Sequence, residues 1–133
     1  MCYDKTKVKQ LSPSNLAFVG DGVYGLEARV RLAEINRPSG ELHSLSVKLV
    51  SAQGQVHAFS LISNMLSEEE MWIFKRGRNF HTGRTPKNAS GSDYHTATGI
   101  ETLFGYLKMT DNEARAAYLF AIAYAEKLED LKK

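Results

Sequence analysis

The chain has 133 residues, 43% of them hydrophobic and 24% charged, with a formal net charge of +2. These values fit one ordinary globular domain with a sizeable core; they exclude a disordered chain, a strongly basic tail and, with Cys2 the single cysteine, a disulfide framework. The longest unbroken apolar run, Ala116 to Ala125, falls well short of the ~18 residues a membrane-spanning helix needs, so a cytoplasmic protein without membrane contact is expected.

Residues 3 to 10, YDKTKVKQ, can form a short amphipathic lead-in helix. Ser12 followed by Pro13 reads as an N-cap with proline at the first helical position. Leu16, Val19, Val23, Leu26 and Val30 then recur at helical spacing until about Asn36, where Arg37-Pro38-Ser39-Gly40 stops the helix; Phe18, Tyr24 and Leu26 are assigned to its core face. A third segment starts at Glu41 with Leu42, Leu45, Leu49 and Val50, and Ser51 caps a fourth that carries Val56, Phe59, Leu61 and Ile62. Ser67 and Glu70 have the spacing of a capping box, with Lys75, Arg76 and Arg78 closing the helix 68–78. From Asn79 to Gly91 the sequence lacks periodicity and is rich in turn formers, which predicts a long exposed loop. A helix around Glu101 follows, and Thr110 with Glu113 makes a second capping box for a last helix over 111–131. No strand alternation or hairpin signal occurs, so the expected architecture is all-α.

Chemistry is concentrated in two of these helices. Asp21 stands between Gly20 and Gly22, with Ala17 at i−4 and Gly25 at i+4. Glycine within a helix costs about 1 kcal/mol relative to alanine, so three together point to a close approach by another backbone or a ligand. Glu101 has the same flanks, Ala97 and Gly105. Two carboxylates meeting across a small-residue gap resist ionisation unless a cation lies between them, and a hard divalent ion such as Mg2+ fits oxygen donors. Asp21 and Glu101 are therefore the candidate catalytic and metal-binding residues. The structural alternative is that each is a satisfied polar group, for example through an ion pair with Arg29. The glycines also match G-x-G-x-x-G, but the helix begins upstream of them and no βαβ unit follows, which excludes a dinucleotide fold.

No acid occurs between Glu70 and Asp93, while Lys75, Arg76, Arg78, Arg84 and Lys87 fall in that interval with Asn79 and Thr85. This set suits phosphate and ribose contacts, and the seven residues form the candidate RNA-binding surface.

These motifs resemble the endonuclease domain of the ribonuclease III family. Its L-E-F-L-G-D-A-V-L signature is similar to Leu16-Ala17-Phe18-Val19-Gly20-Asp21-Gly22-Val23-Tyr24. Its D-x-x-E-A-L-x-G signature is similar to Thr98-Gly99-Ile100-Glu101-Thr102-Leu103-Phe104-Gly105. Leu42-His43, Val50-Ser51-Ala52, Lys75-Arg76-Gly77-Arg78-Asn79 and Thr85-Pro86-Lys87-Asn88 resemble the Mini-III branch, which consists of the endonuclease domain alone. The resemblance implies a homodimeric helical bundle, with residues 1–133 as a single domain lacking a double-stranded RNA-binding domain. It also implies Mg2+-dependent cleavage of double-stranded RNA and maturation of the ends of large-subunit ribosomal RNA precursors. A ribosomal protein that shapes the substrate is an open partner class. Larger relatives carry further acids at positions matching Ser14, Ala17 and Thr98, so the remaining metal ligands stay open. A non-catalytic RNA-binding or ribosome-associated module with the same fold is the alternative reading.

Overall fold

A computed structural model describes residues 3–80 and 91–132, and every regular element among them is helical. The order is α1 (Lys5–Gln10), α2 (Pro13–Ala33), α3 (Ser39–Val50), α4 (Ala52–Ile62), α5 (Glu68–Arg78), α6 (Gly91–Met109) and α7 (Glu113–Lys132), with a 3-10 turn at Ser63–Met65. Polar caps set the starts. Asp4 accepts from the Thr6 N–H, Ser12 from Asn15, and Ser51 from Gly54, at 2.8, 3.1 and 3.1 Å. The box at α5 is closed in both directions, Ser67 Oγ accepting from Glu70 N (3.1 Å) and Glu70 Oε1 from Ser67 N (2.9 Å). The long loop expected from Asn79 to Gly91 falls mainly on 81–90, outside the described residues, and Gly91 already belongs to α6.

Helix α6 is the hub. Its residues from Thr102 to Leu107 are all buried, and α1, α2, α4, α5 and α7 pack around it. A helix apolar on all sides can be stable only when enclosed in this way. The core-facing stripe of α2 is Leu16, Gly20, Tyr24, Ala28 and Leu32. The expected assignment of Phe18 and Leu26 to the core is corrected: they are 84% and 61% exposed, with Val30 at 53%. Helix α2 has two apolar faces, and the one with the small residues is buried because α6 comes too close for bulk. A Cβ at Gly20 would overlap the Glu101 carbonyl and lie 2.8 Å from Gly105 N, and one at Gly105 would overlap the Leu16 carbonyl. The glycine pair thus lets two backbones touch. Gly22, by contrast, faces open space, so the closeness read from three glycines is a property of Gly20.

Three further expectations shift. Helix α3 begins at Ser39, two residues before Glu41. Helix α7 begins at Glu113, and Thr110 does not cap it. The chain leaves α6 through a left-handed Asp111 (φ 63°), with Asn112 N bonded to Leu107 O and Asp111 N to Lys108 O. That turn places Asn112 directly before α7, while the Thr110 hydroxyl donates back to Tyr106 O (2.7 Å). Deep in the core Tyr24 donates to Tyr124, which donates to Leu49 O at 2.7 Å, tying α2, α7 and α3 together beneath the Glu101 region. Burial raises the Tyr24 hydroxyl far above its ordinary value and the Tyr124 hydroxyl to about 12, so both are neutral hydrogen-bonding groups. None of the helices among the described residues is long and apolar enough to cross a membrane.

Candidate active site

The contact between Gly20 and Gly105 puts Asp21, the next residue of α2, opposite Glu101 of α6. Glu101 is half-buried and lies within hydrogen-bonding distance of Asp21, which is exposed. The Glu101 carboxyl is pushed up to about 8, first by burial and then by the bond to Asp21 and its charge; a hydrogen bond from Gln55 opposes the rise. No ion pair joins either acid among the described residues. Arg29, the alternative partner of Asp21, instead donates to Gly25 O at 3.1 Å. A buried carboxyl that faces another acid holds its proton more tightly when no cation separates them.

The pair opens into a pocket of about 310 Å³ lined by Ser14, Ala17, Phe18, Asp21, Phe80, Tyr94, Thr98 and Glu101. Ser14, Ala17 and Thr98 therefore stand around it as neutral side chains. Among the described residues no cluster of three or more acids, histidines or cysteines is present. The donor set is thus two carboxylates with an open side. That set fits a hard divalent ion which keeps several waters and takes others of its ligands from a phosphate.

The candidate RNA-binding residues divide. Lys75 and Asn79 are exposed on the last turn of α5 and its cap, and Arg78 Nε donates to Asn79 Oδ1 at 3.3 Å while its guanidinium lies 5.8 Å from the Phe74 ring centroid. Arg76 is half-buried and tied to the end of α1, donating to Lys9 O (2.9 Å) and Leu11 O (3.4 Å), with its guanidinium 5.1 Å from the Trp72 ring. Arg84, Thr85 and Lys87 lie outside the described residues. Sequence reasoning missed Gln55. The available signal was an amide three and seven residues before Ala58 and Ile62, on the stripe that α4 buries.

The family model of the ribonuclease III domain matches residues 14–112, which span both acids, and the chain belongs to the ribonuclease III family. Within that family it is similar to proteins named Mini-ribonuclease 3. It is 37% identical over 115 residues to that of Clostridium tetani, covering 85% of this chain and 76% of the relative. With that of a Thermoanaerobacter species the identity is 45% over 104 residues, covering 77% and 73%. A crystal structure of a protein from Fusobacterium nucleatum superposes with a TM-score of 0.81 at 26% identity, covering 90% of this chain and 97% of that one.

Proposed function

We propose that this protein is a Mg2+-dependent endoribonuclease that cleaves double-stranded RNA, with Asp21 and Glu101 as its catalytic and metal-binding pair. One observation carries the reading: the two carboxyls face each other in an open pocket with no basic partner among the described residues. When bound, a divalent ion supplies a Lewis acid at the phosphate and a water of lowered pKa. The protein's own part is to hold that ion on Asp21 and Glu101, give up the Glu101 proton, and orient the scissile strand. Hydrolysis then leaves a 5′-phosphate and a 3′-hydroxyl. Lys75, Arg78 and Asn79, with Arg84, Thr85 and Lys87, form the proposed clamp on the RNA backbone, and Arg76 braces α5 against the end of α1 beneath it.

The substrate proposed from the sequence resemblance is a precursor of large-subunit ribosomal RNA. The same reading makes the protein a homodimer, because two sites related by a two-fold axis can cut both strands of a duplex. Phe18, Leu26 and Val30 support this: they form an exposed apolar stripe at eight- and four-residue spacing, with Gly22 between Phe18 and Leu26. Replacing Phe18 with Lys is expected to shift the sedimentation coefficient from that of a dimer to that of a monomer.

The decisive assay incubates purified protein with labelled duplex RNA in Mg2+ and in chelator. Cleavage is expected only with Mg2+, and Asp21→Asn is expected to abolish it while leaving duplex binding and helical content intact. Binding without cleavage by the wild-type chain would instead establish the non-catalytic module.

A further inference from the structure

The solvent face of α5 carries an aromatic ring that packing does not require. Ile73 and Phe74 are 0% and 1% exposed and seat the helix in the core, whereas Trp72 beside them is 49% exposed. Trp72, Lys75 and Asn79 are all exposed at i, i+3 and i+7, so the ring stands two turns, about 10 Å, back along the face that carries the proposed clamp. Cations flank it. The Arg76 guanidinium lies 5.1 Å and Lys9 Nζ 6.0 Å from the ring centroid, and Arg76 is held there by its bonds to Lys9 O and Leu11 O. Of the acids one turn back on α5, Glu69 is engaged by Lys5, Lys9 and the Tyr106 hydroxyl at 3.1, 3.4 and 2.9 Å, and Glu68 is exposed. Lys5, Lys9, Lys75 and Arg76 outweigh these two carboxylates, so the ring stands in a positive setting.

A half-exposed indole among cations suits one ligand chemistry, a base that stacks on the ring while its phosphate meets the positive charge. In an A-form duplex the neighbouring pairs cover each base face, so that base must be unpaired. We propose that Trp72, with Arg76 and Lys9, forms a binding site for an unpaired nucleotide flanking the duplex, its base stacked on the indole and its phosphate facing the two cations. The site rests on the RNA-cleaving reading of the chain and deepens it, making the substrate class a duplex with a single-stranded flank. A tryptophan that served only to cover the Arg76 side chain would be indifferent to the ends of the RNA.

Trp72 is the single tryptophan of the chain, so its emission reports on this site alone. The probes are a blunt RNA duplex and the same duplex with an unpaired extension, 5′ in one version and 3′ in another, titrated in chelator so that no cleavage intervenes. An extended duplex is expected to bind about fivefold more tightly than the blunt one and to quench the emission, and Trp72→Ala should bring its affinity down to the blunt value. Equal affinity for all three probes overturns the site and leaves the cleavage reading standing, as does an advantage that survives in Trp72→Ala. Binding of all three without quenching also overturns it and assigns the ring to a protein partner. Binding of none overturns the site and the RNA reading together. Should Trp72→Ala fail to fold, acrylamide quenching of the wild type decides: shielding of the ring by an extended duplex alone supports the site, and equal shielding by the blunt duplex overturns it.

Discussion

Glu70, in the first turn of α5, is buried and Glu101, in the middle of α6, is half-buried, and their carboxyl groups are pushed in opposite directions. Burial raises both. At Glu70 that rise is outweighed by Arg115, whose Nε and Nη2 donate to the two carboxylate oxygens at 2.9 Å each, and by Ser67, so the group ends below the ordinary carboxylate range. At Glu101 the charged group that acts on it among the described residues is another acid, Asp21, and the carboxyl ends near 8. The comparison teaches that burial alone does not mark a functional acid. A buried carboxyl with a full set of donors is architecture, whereas one left facing a second carboxyl stands ready for a cation the protein itself does not supply.

The same substitution at the two positions should therefore give different outcomes. Glu101→Gln is expected to lower duplex cleavage by on the order of 10³-fold or more. Glu70→Gln should leave the rate per folded molecule within about threefold, since its effects act through stability. Single-turnover kinetics on folded protein check this, and equal losses would erase the contrast.

Stability should reverse the ranking. Glu70→Gln breaks a bidentate ion pair while its Oε1 can still complete the capping box, and chemical denaturation is expected to show a loss of about 2 kcal/mol. Glu101→Gln, measured without metal at pH 9, removes one of two facing anions and should gain about 1–2 kcal/mol, a figure reduced for relaxation and solvent screening. A loss at both positions would mean that Glu101 is as well satisfied as Glu70.

The pH dependence sharpens the contrast further. With its folded value near 8 against an ordinary 4.5, Glu101 makes the native state bind an extra proton between those limits. Metal-free stability should then decline as pH rises from 4.5 to 8. Glu70, held low, contributes fully above the ordinary carboxylate range and loses its contribution as pH falls through its depressed value. An ion that displaces the Glu101 proton should bind about tenfold more tightly per pH unit approaching 8. Calorimetric Mg2+ affinities that stay flat from pH 6 to 8 would dissociate the ion from Glu101.

Much of this molecule could be read from its sequence, where local chemistry decides. The caps at Ser12, Ser51 and Ser67 mark three helix starts, and the expected span of α5, about 68 to 78, agrees with Glu68–Arg78 because an acidic first turn and a basic last turn frame it. The two acids were legible because small residues flank both. What escaped depends on contacts distant in sequence. Phe18 and Leu26 share the periodicity of core residues, and only the backbone contact at Gly20 and Gly105 decides which apolar face of α2 turns inward. Thr110 and Glu113 have capping-box spacing, yet the left-handed turn at Asp111 gives the place before the helix to Asn112. Gln55 reads as one more polar helical residue, and only the fold shows it buried with its amide committed to Val50 O of α3.

The touching backbones of α2 and α6 also carry a consequence for how this centre can change. Glu101 contributes its own carbonyl to the tightest point of the crossing, so the gap separating the two facing acids is gauged by main chain against main chain, with no intervening side chain to adjust it. Random substitution at position 20 or 105 would reset that gauge by a whole atom's width, whereas changes at Ser14, Ala17 or Thr98 alter only the wall of the chamber. Variation in the pocket is therefore open at the rim and closed where the two helices cross.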